Sequence, residues 1–122
     1  MQIDNETLRW LGAAADMAGR FNLPRSADRI ADVLLEVVPE DPEAHIVAAT
    51  TRLNSRRPEE CVKILQEKVL AKDPDHDGAK GFLVLAYDMM GRTSDRDRVA
   101  KDVIENGSDP LAKQMAEQAL AG

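Results

Sequence analysis

Apolar residues recur every three or four positions along this 122-residue chain, the period that turns one side of an α-helix toward a core. The first such stretch runs from a cap at Asn5 or Thr7 through Gly19, with Leu8, Leu11, Ala15 and Ala18 in step. Phe21-Asn22-Leu23-Pro24 predicts a turn. A second helix then starts at Ser26, where Arg29 replaces the glutamate of a full capping box. It carries Ile30, Val33, Leu34 and Val37 on one face and stops before Pro39. Glu43 to Leu53 predicts a third helix, Asn54-Ser55-Arg56-Arg57 a turn, and Pro58 the first turn of a fourth helix with Val62, Ile64, Leu65 and Val69 inward. The fifth spans Asp75 to Met90, with Phe82, Leu83, Leu85 and Ala86 as its apolar core, and closes at Gly91. Ser94 or Asp95 opens a sixth through Glu105, ended by Asn106-Gly107. Asp109-Pro110 opens a seventh carrying Leu111, Met115, Ala119 and Leu120. The pattern predicts an all-α chain of three helical hairpins and a closing helix, forming a single domain over residues 1–122 with no low-complexity linker.

Asp41-Pro42, Asp73-Pro74 and Asp109-Pro110 punctuate the pattern at intervals of 32 and 36 residues. Proline lacks the helical N–H and drives the preceding residue out of the α region, so each pair ends one helix and frees the next. A helix–turn–helix period near 34 residues resembles tetratricopeptide (TPR) arrays. Units starting at Thr7, Asp41 and Asp77 place Trp10, Ala44 and Lys80 at the fourth position. Ala14, Ala48 and Val84 fall at the eighth, where a crossing helix demands small side chains, and Met17, Thr51 and Tyr87 at the eleventh. The resemblance implies three TPR-like hairpins plus a C-terminal capping helix, wound as a right-handed α-solenoid. It also implies that the first helix of each unit lines a concave side. That side carries Leu8, Leu11, Ala15 and Ala18 from the first unit, and His45, Ala49, Arg52 and Leu53 from the second. Gly81, Leu85, Asp88 and Met89 complete it from the third. Such a channel suits a guest helix or extended peptide held by apolar burial, with Leu85 and Met89 as the main contacts. The alternative is a seven-helix globule in which these side chains close against neighbouring helices.

Composition narrows the function. Hydrophobic residues make up 43% of the chain but aromatics only 3%, so the core is built from Ala, Leu, Val and Met. The net charge is −6 with lysine and arginine scattered, and no basic stripe faces a nucleic acid. Arg92, Arg96, Arg98 and Lys101 alternate with Asp95, Asp97 and Asp102 as a solvated helix face does. Cys61 is the only cysteine, which fits a reducing compartment. The expectation is a cytoplasmic protein with no signal peptide and no membrane span.

Candidate chemistry is sparse. Asp73, Asp75, Asp77 and Gly78 spell the opening of an EF-hand calcium loop, but its twelfth position is Val84 where a bidentate glutamate belongs. The aspartates are expected instead to cap the fifth helix. His45 and His76 lie in different turns, away from the three or four ligands that zinc requires. Cys61 sits among apolar residues and reads as a small buried hydrophobe. No catalytic set, metal site or cofactor is expected, and the chain reads as no enzyme.

Two segments resemble a particular group of TPR proteins. Asp32-Val-Leu-Leu-Glu-Val-Val-Pro39 with Pro42-Glu-Ala-His-Ile is one. Ala79 to Arg92, with Arg98-Val-Ala-Lys-Asp-Val-Ile and Asp109-Pro-Leu-Ala112, is the other. They resemble the small needle-subunit chaperones of bacterial type III secretion systems (the YscG/EscG type). That resemblance implies a cytoplasmic chaperone clasping the amphipathic C-terminal helix of a needle subunit, often with a second small cochaperone. Its groove residues are then Leu11, Ala15, Ala49, Leu53, Leu85 and Met89. Two other readings remain open: a generic TPR adaptor gripping a peptide terminus with cationic clamps, and a self-associating structural protein, such as a homodimer, that fills its own groove.

Overall fold

A computed structural model describes residues 24–121 together with Arg9. The expected first helix and the groove residues Leu8, Leu11, Ala15 and Ala18 lie outside the described residues. Within them the chain is all-helical, with no strands. Helix α1 spans Pro24–Val37, α2 Pro42–Asn54 and α3 Pro58–Ile64. α3 runs on directly as a π-helical stretch, Leu65–Leu70, and is followed by α4 (Asp77–Met89), α5 (Thr93–Asn106) and α6 (Pro110–Ala121).

The helix ends follow local chemistry. Asp41 caps α2 by accepting the Glu43 N–H at 2.9 Å, with Pro42 in the first turn and the Glu43 carboxylate favoured by the helix dipole. Asp109 accepts the Leu111 N–H at 3.2 Å in front of Pro110. α4 stops where Gly91 takes φ +71°, which allows the Arg92 N–H to reach back to the Tyr87 carbonyl at 2.9 Å. The start of α1 at Pro24 rather than Ser26 uses the proline as a first-turn residue instead of a turn residue. The cap of α4 also differs from the expected aspartate: His76 Nδ1 accepts the Ala79 N–H at 3.1 Å.

The π stretch has a packing reason. Cys61, Leu65 and Val69 are buried at four-residue intervals. In an α-helix that step overshoots a full turn by about 40° and carries each successive side chain off the core. The wider i→i+5 turn reverses the drift, so Leu65 and Val69 stay inside at 0% and 1% exposure.

One core joins α2, α3 with its π stretch, α4, α5 and α6, centred on Leu53, Leu65, Val84, Tyr87 and Val103. A smaller one joins α1 and α2 through Leu34 and Ala44. Alanines fill many of the contact points, which lets the backbones approach closely. On α1 the buried face is Ala27, Ala31 and Leu34, while Val33, expected inward, is 49% exposed. α6 likewise buries Ala112 and Ala116 and leaves Leu111 outside. In α6 the small residues take the inner face because a close crossing has no room for the larger ones.

Three cross-links tie neighbouring helix ends. Glu43, at the start of α2, faces His76, at the start of α4, with Oε1 3.9 Å from Nε2. Asp77, the first residue of α4, accepts the backbone N–H groups of Ser108 at 2.7 Å and Asp109 at 3.0 Å, just ahead of α6. Helices α2, α4 and α6 therefore begin side by side. Asp28 of α1 takes Arg52 and Arg57, at the far end of α2, each at 2.6 Å, so α1 runs opposite to α2.

The Asp77 latch carries a prediction. The Ser108 N–H and then the Asp109 N–H hold its carboxyl below the usual carboxylate range. A depressed carboxyl stabilises the fold above its unfolded pKa, and that contribution is lost as pH falls through the lower folded value. Urea midpoints should drop below about pH 4, the ordinary aspartate range. Asp77→Ala should flatten that slope and speed amide exchange in α6 at neutral pH. Unchanged exchange at Ala112–Ala116 would remove the latch from the account.

Candidate binding face

α4 positions one of the apolar surfaces that remain open, alongside Val33 on α1 and Leu111 and Leu120 on α6. It packs against α3, the π stretch, α5 and α6, which bury Ala79, Leu83, Val84, Ala86 and Tyr87. What is left is a stripe of Phe82, Leu85 and Met89 at helical spacing. Phe82 is half-buried against the core; Leu85 is 37% and Met89 44% exposed. Beside the stripe α6 crosses α4 at Gly81, where Met115 Cε lies 3.4 Å from the place a Cβ would occupy. A larger residue at 81 would push Met115 away. Leu85 stands one turn beyond that crossing.

The other groove residues that fall among the described residues are buried or paired within the fold. Ala49 is fully buried and Leu53 is 8% exposed, both within the main core. They close against neighbouring helices because α2 also packs against the π stretch and α4, which a repeat pattern alone does not reveal. Arg52, read as a cation on the concave side, is engaged by Asp28 at 2.6 Å and bonds Thr51 Oγ1 at 3.0 Å. Asp88 pairs with Arg96 at 2.7 Å. His45 Nε2 lies 2.8 Å from the Pro39 carbonyl and secures the α1–α2 turn. Among the described residues of the set, Leu85 and Met89 present apolar side chains to solvent.

The residues considered for chemistry are otherwise occupied. Asp77 is spent on the α6 latch and His76 on the α4 cap, while Val84 at the EF-hand's terminal position is fully buried. Among the described residues no group of three or more His, Cys, Asp or Glu stands close enough to hold a metal ion. Cys61 is fully buried, and desolvation pushes its thiol up to about 12, so it is protonated and non-nucleophilic at neutral pH. Thr51, unexpectedly small for the eleventh position of its unit, is buried and donates its hydroxyl to the Ala48 carbonyl at 2.7 Å. No helix among the described residues is long and apolar enough to cross a membrane.

Sequence reasoning missed the Asp77 latch, because an aspartate in a helix's first turn is already explained by the helix dipole. It also missed the ion pair between Lys80 Nζ and Asp102 Oδ2 at 2.7 Å, which joins α4 to α5. Lys80 in the midst of an apolar helix was the available signal, since a cation at such a position calls for a carboxylate partner. Comparison with protein-family models, curated proteins and solved structures finds no match.

Proposed function

We propose that this chain is a non-catalytic TPR-like binding module that covers an amphipathic helix of another protein. In the specific form implied by its sequence resemblance, it is a cytoplasmic chaperone that keeps a type III secretion needle subunit from polymerising. The carrying observation is the exposed Leu85–Met89 pair, one turn apart on a helix otherwise fixed by its neighbours. An apolar pair at that spacing matches the i, i+4 anchors by which a guest helix is held.

The side-by-side starts of α2, α4 and α6 support a stack of hairpins with α6 as its cap. In such an array successive first helices share one surface. A filament subunit exposes an amphipathic helix that pairs with copies of itself, and burying its apolar face blocks that pairing. The peptide-terminus adaptor is less well supported, because Arg52 is held by Asp28 and is not free to clamp a carboxylate.

The test is to purify the chain from its native cells and identify by mass spectrometry what stays bound at stoichiometric level. A small secreted filament subunit is the expected result. A homodimer with no second protein would replace this reading by self-association.

A further inference from the structure

Leu83 and Tyr87 lie two positions before Leu85 and Met89, so they face roughly the opposite side of α4, about 200° around the helix. There a cleft of about 420 Å³ opens between the π stretch, α4 and α5. Its apolar lining is Leu70, Leu83 and Val99. Around this lining stand Gln66, Lys80, Tyr87, Arg98 and Asp102, and what each has left to offer defines the ligand.

Each carboxylate oxygen of Asp102 has a partner: Oδ2 accepts Lys80 at 2.7 Å and Oδ1 accepts Asn106 at 2.9 Å. Gln66 Nε2 donates to the Tyr87 hydroxyl at 2.9 Å, which leaves the phenol proton free to donate. With the amide turned round, the Gln66 NH₂ becomes the free donor, so either arrangement retains one. Lys80 keeps two N–H groups beyond its bond to Asp102. Arg98 is 68% exposed and only 3.4 Å from Asp95, whose carboxylate Arg92 already takes at 2.6 Å. The Lys80 and Asp102 charges cancel each other, so Arg98 is the cleft's one loosely held charge.

We propose that this cleft binds a monoanionic carboxylate with an aliphatic body. The carboxylate sits on the Arg98 guanidinium and the Lys80 ammonium, and the aliphatic body lies on Leu70, Leu83 and Val99. A fork-shaped guanidinium matches the two carboxylate oxygens, and a single loosely held cation suits one negative charge rather than two. The π turn contributes directly, since it supplies both Gln66 and Leu70, and such turns recur at functional sites. Pockets of this volume with an apolar lining and a few convergent polar groups take small ligands. A free medium-chain fatty acid and a peptide C-terminus ending in an aliphatic residue share this chemistry.

The experiment is a nuclear magnetic resonance titration of the whole chain with sodium octanoate. Parallel arms use octan-1-ol, acetyl-Ala-Leu as the free acid, and its C-terminal amide. Octanoate should shift the Leu83, Tyr87 and Val99 resonances and leave Leu85 and Met89 unmoved. Arg98→Gln should weaken it roughly tenfold, as loss of a charge-assisted bond implies, and octan-1-ol should bind at a similar disadvantage. Arg98 is exposed, so melting of that variant should match the parent. Tighter binding of octanoate than of the dipeptide acid identifies a free fatty acid as the source; the reverse order identifies a chain terminus. No shift in the cleft with either acid, or unchanged affinity in Arg98→Gln, overturns the proposal. The double variant Leu85→Asp, Met89→Asp should bind octanoate normally, so this result and the groove result fail independently.

Discussion

Replacing both groove residues, Leu85→Asp with Met89→Asp, is expected to abolish guest binding while leaving the circular dichroism of the chain essentially unchanged. Covering the exposed two-fifths of a Leu or Met side chain is worth about 0.6–1.2 kcal/mol, its share of the about 1.5–3 kcal/mol for full burial, and such buried apolar anchors carry most of the energy at an interface. Losing two, and forcing two carboxylates against an apolar guest face, removes upward of about 3 kcal/mol, more than a hundredfold in affinity. The fold should tolerate the change, because both side chains already reach water at 37% and 44% exposure. Met89 is the last residue of α4, where an added negative charge meets the wrong end of the helix dipole. That costs only about 0.3–1 kcal/mol. Val33→Asp, on the exposed side of α1, is the control and should bind normally. Guest affinity within a few-fold of the parent would move the site elsewhere. Loss of helicity would place Leu85 and Met89 in the core instead.

The largest stability effect is expected at Leu65. It is fully buried where α3 passes into the π stretch and packs in the core shared by α2, α4, α5 and α6. Leu65→Ala should cost about 3 kcal/mol, within the range for removing a buried leucine and leaving part of its cavity behind. For a domain near 100 residues that corresponds to roughly a 12–24 °C fall in Tm. A loss below about 1 kcal/mol would mean that the smaller side chain lets the stretch relax to α-helical register and close the space.

The helix boundaries were the most legible part of the fold. Pro42, Pro58 and Pro110 fix first turns and Gly91 fixes an end, because each acts through its own backbone. The cap of α4 was less so, since histidine serves as an acceptor there only because Nδ1 happens to face the Ala79 N–H. The π stretch was not readable either: Cys61, Leu65 and Val69 have a spacing that an α-helix also accepts. It is the surrounding helices that select the wider turn.

The candidate face divides along the same line. Leu85 and Met89 follow from the concave-side register that the TPR resemblance implies, whereas helical spacing alone put Leu85 in the core. The loss of Ala49 and Leu53 to the core depends on how closely the next hairpin sits. Arg52 shows the limit most clearly, because its partner Asp28 is 24 residues away and on another helix. Tertiary partners of this kind leave no mark in a repeat pattern.

Hydroxyl-radical footprinting of the chain alone and with its stoichiometric partner tests the central claim most directly. Met89 is a reactive side chain placed at the proposed contact, and its sulfur reports access without any substitution. Met89 should oxidise readily in the free chain and become protected in the complex. Equal oxidation of Met89 in both, with protection elsewhere, would contradict the assignment of this face as the binding site.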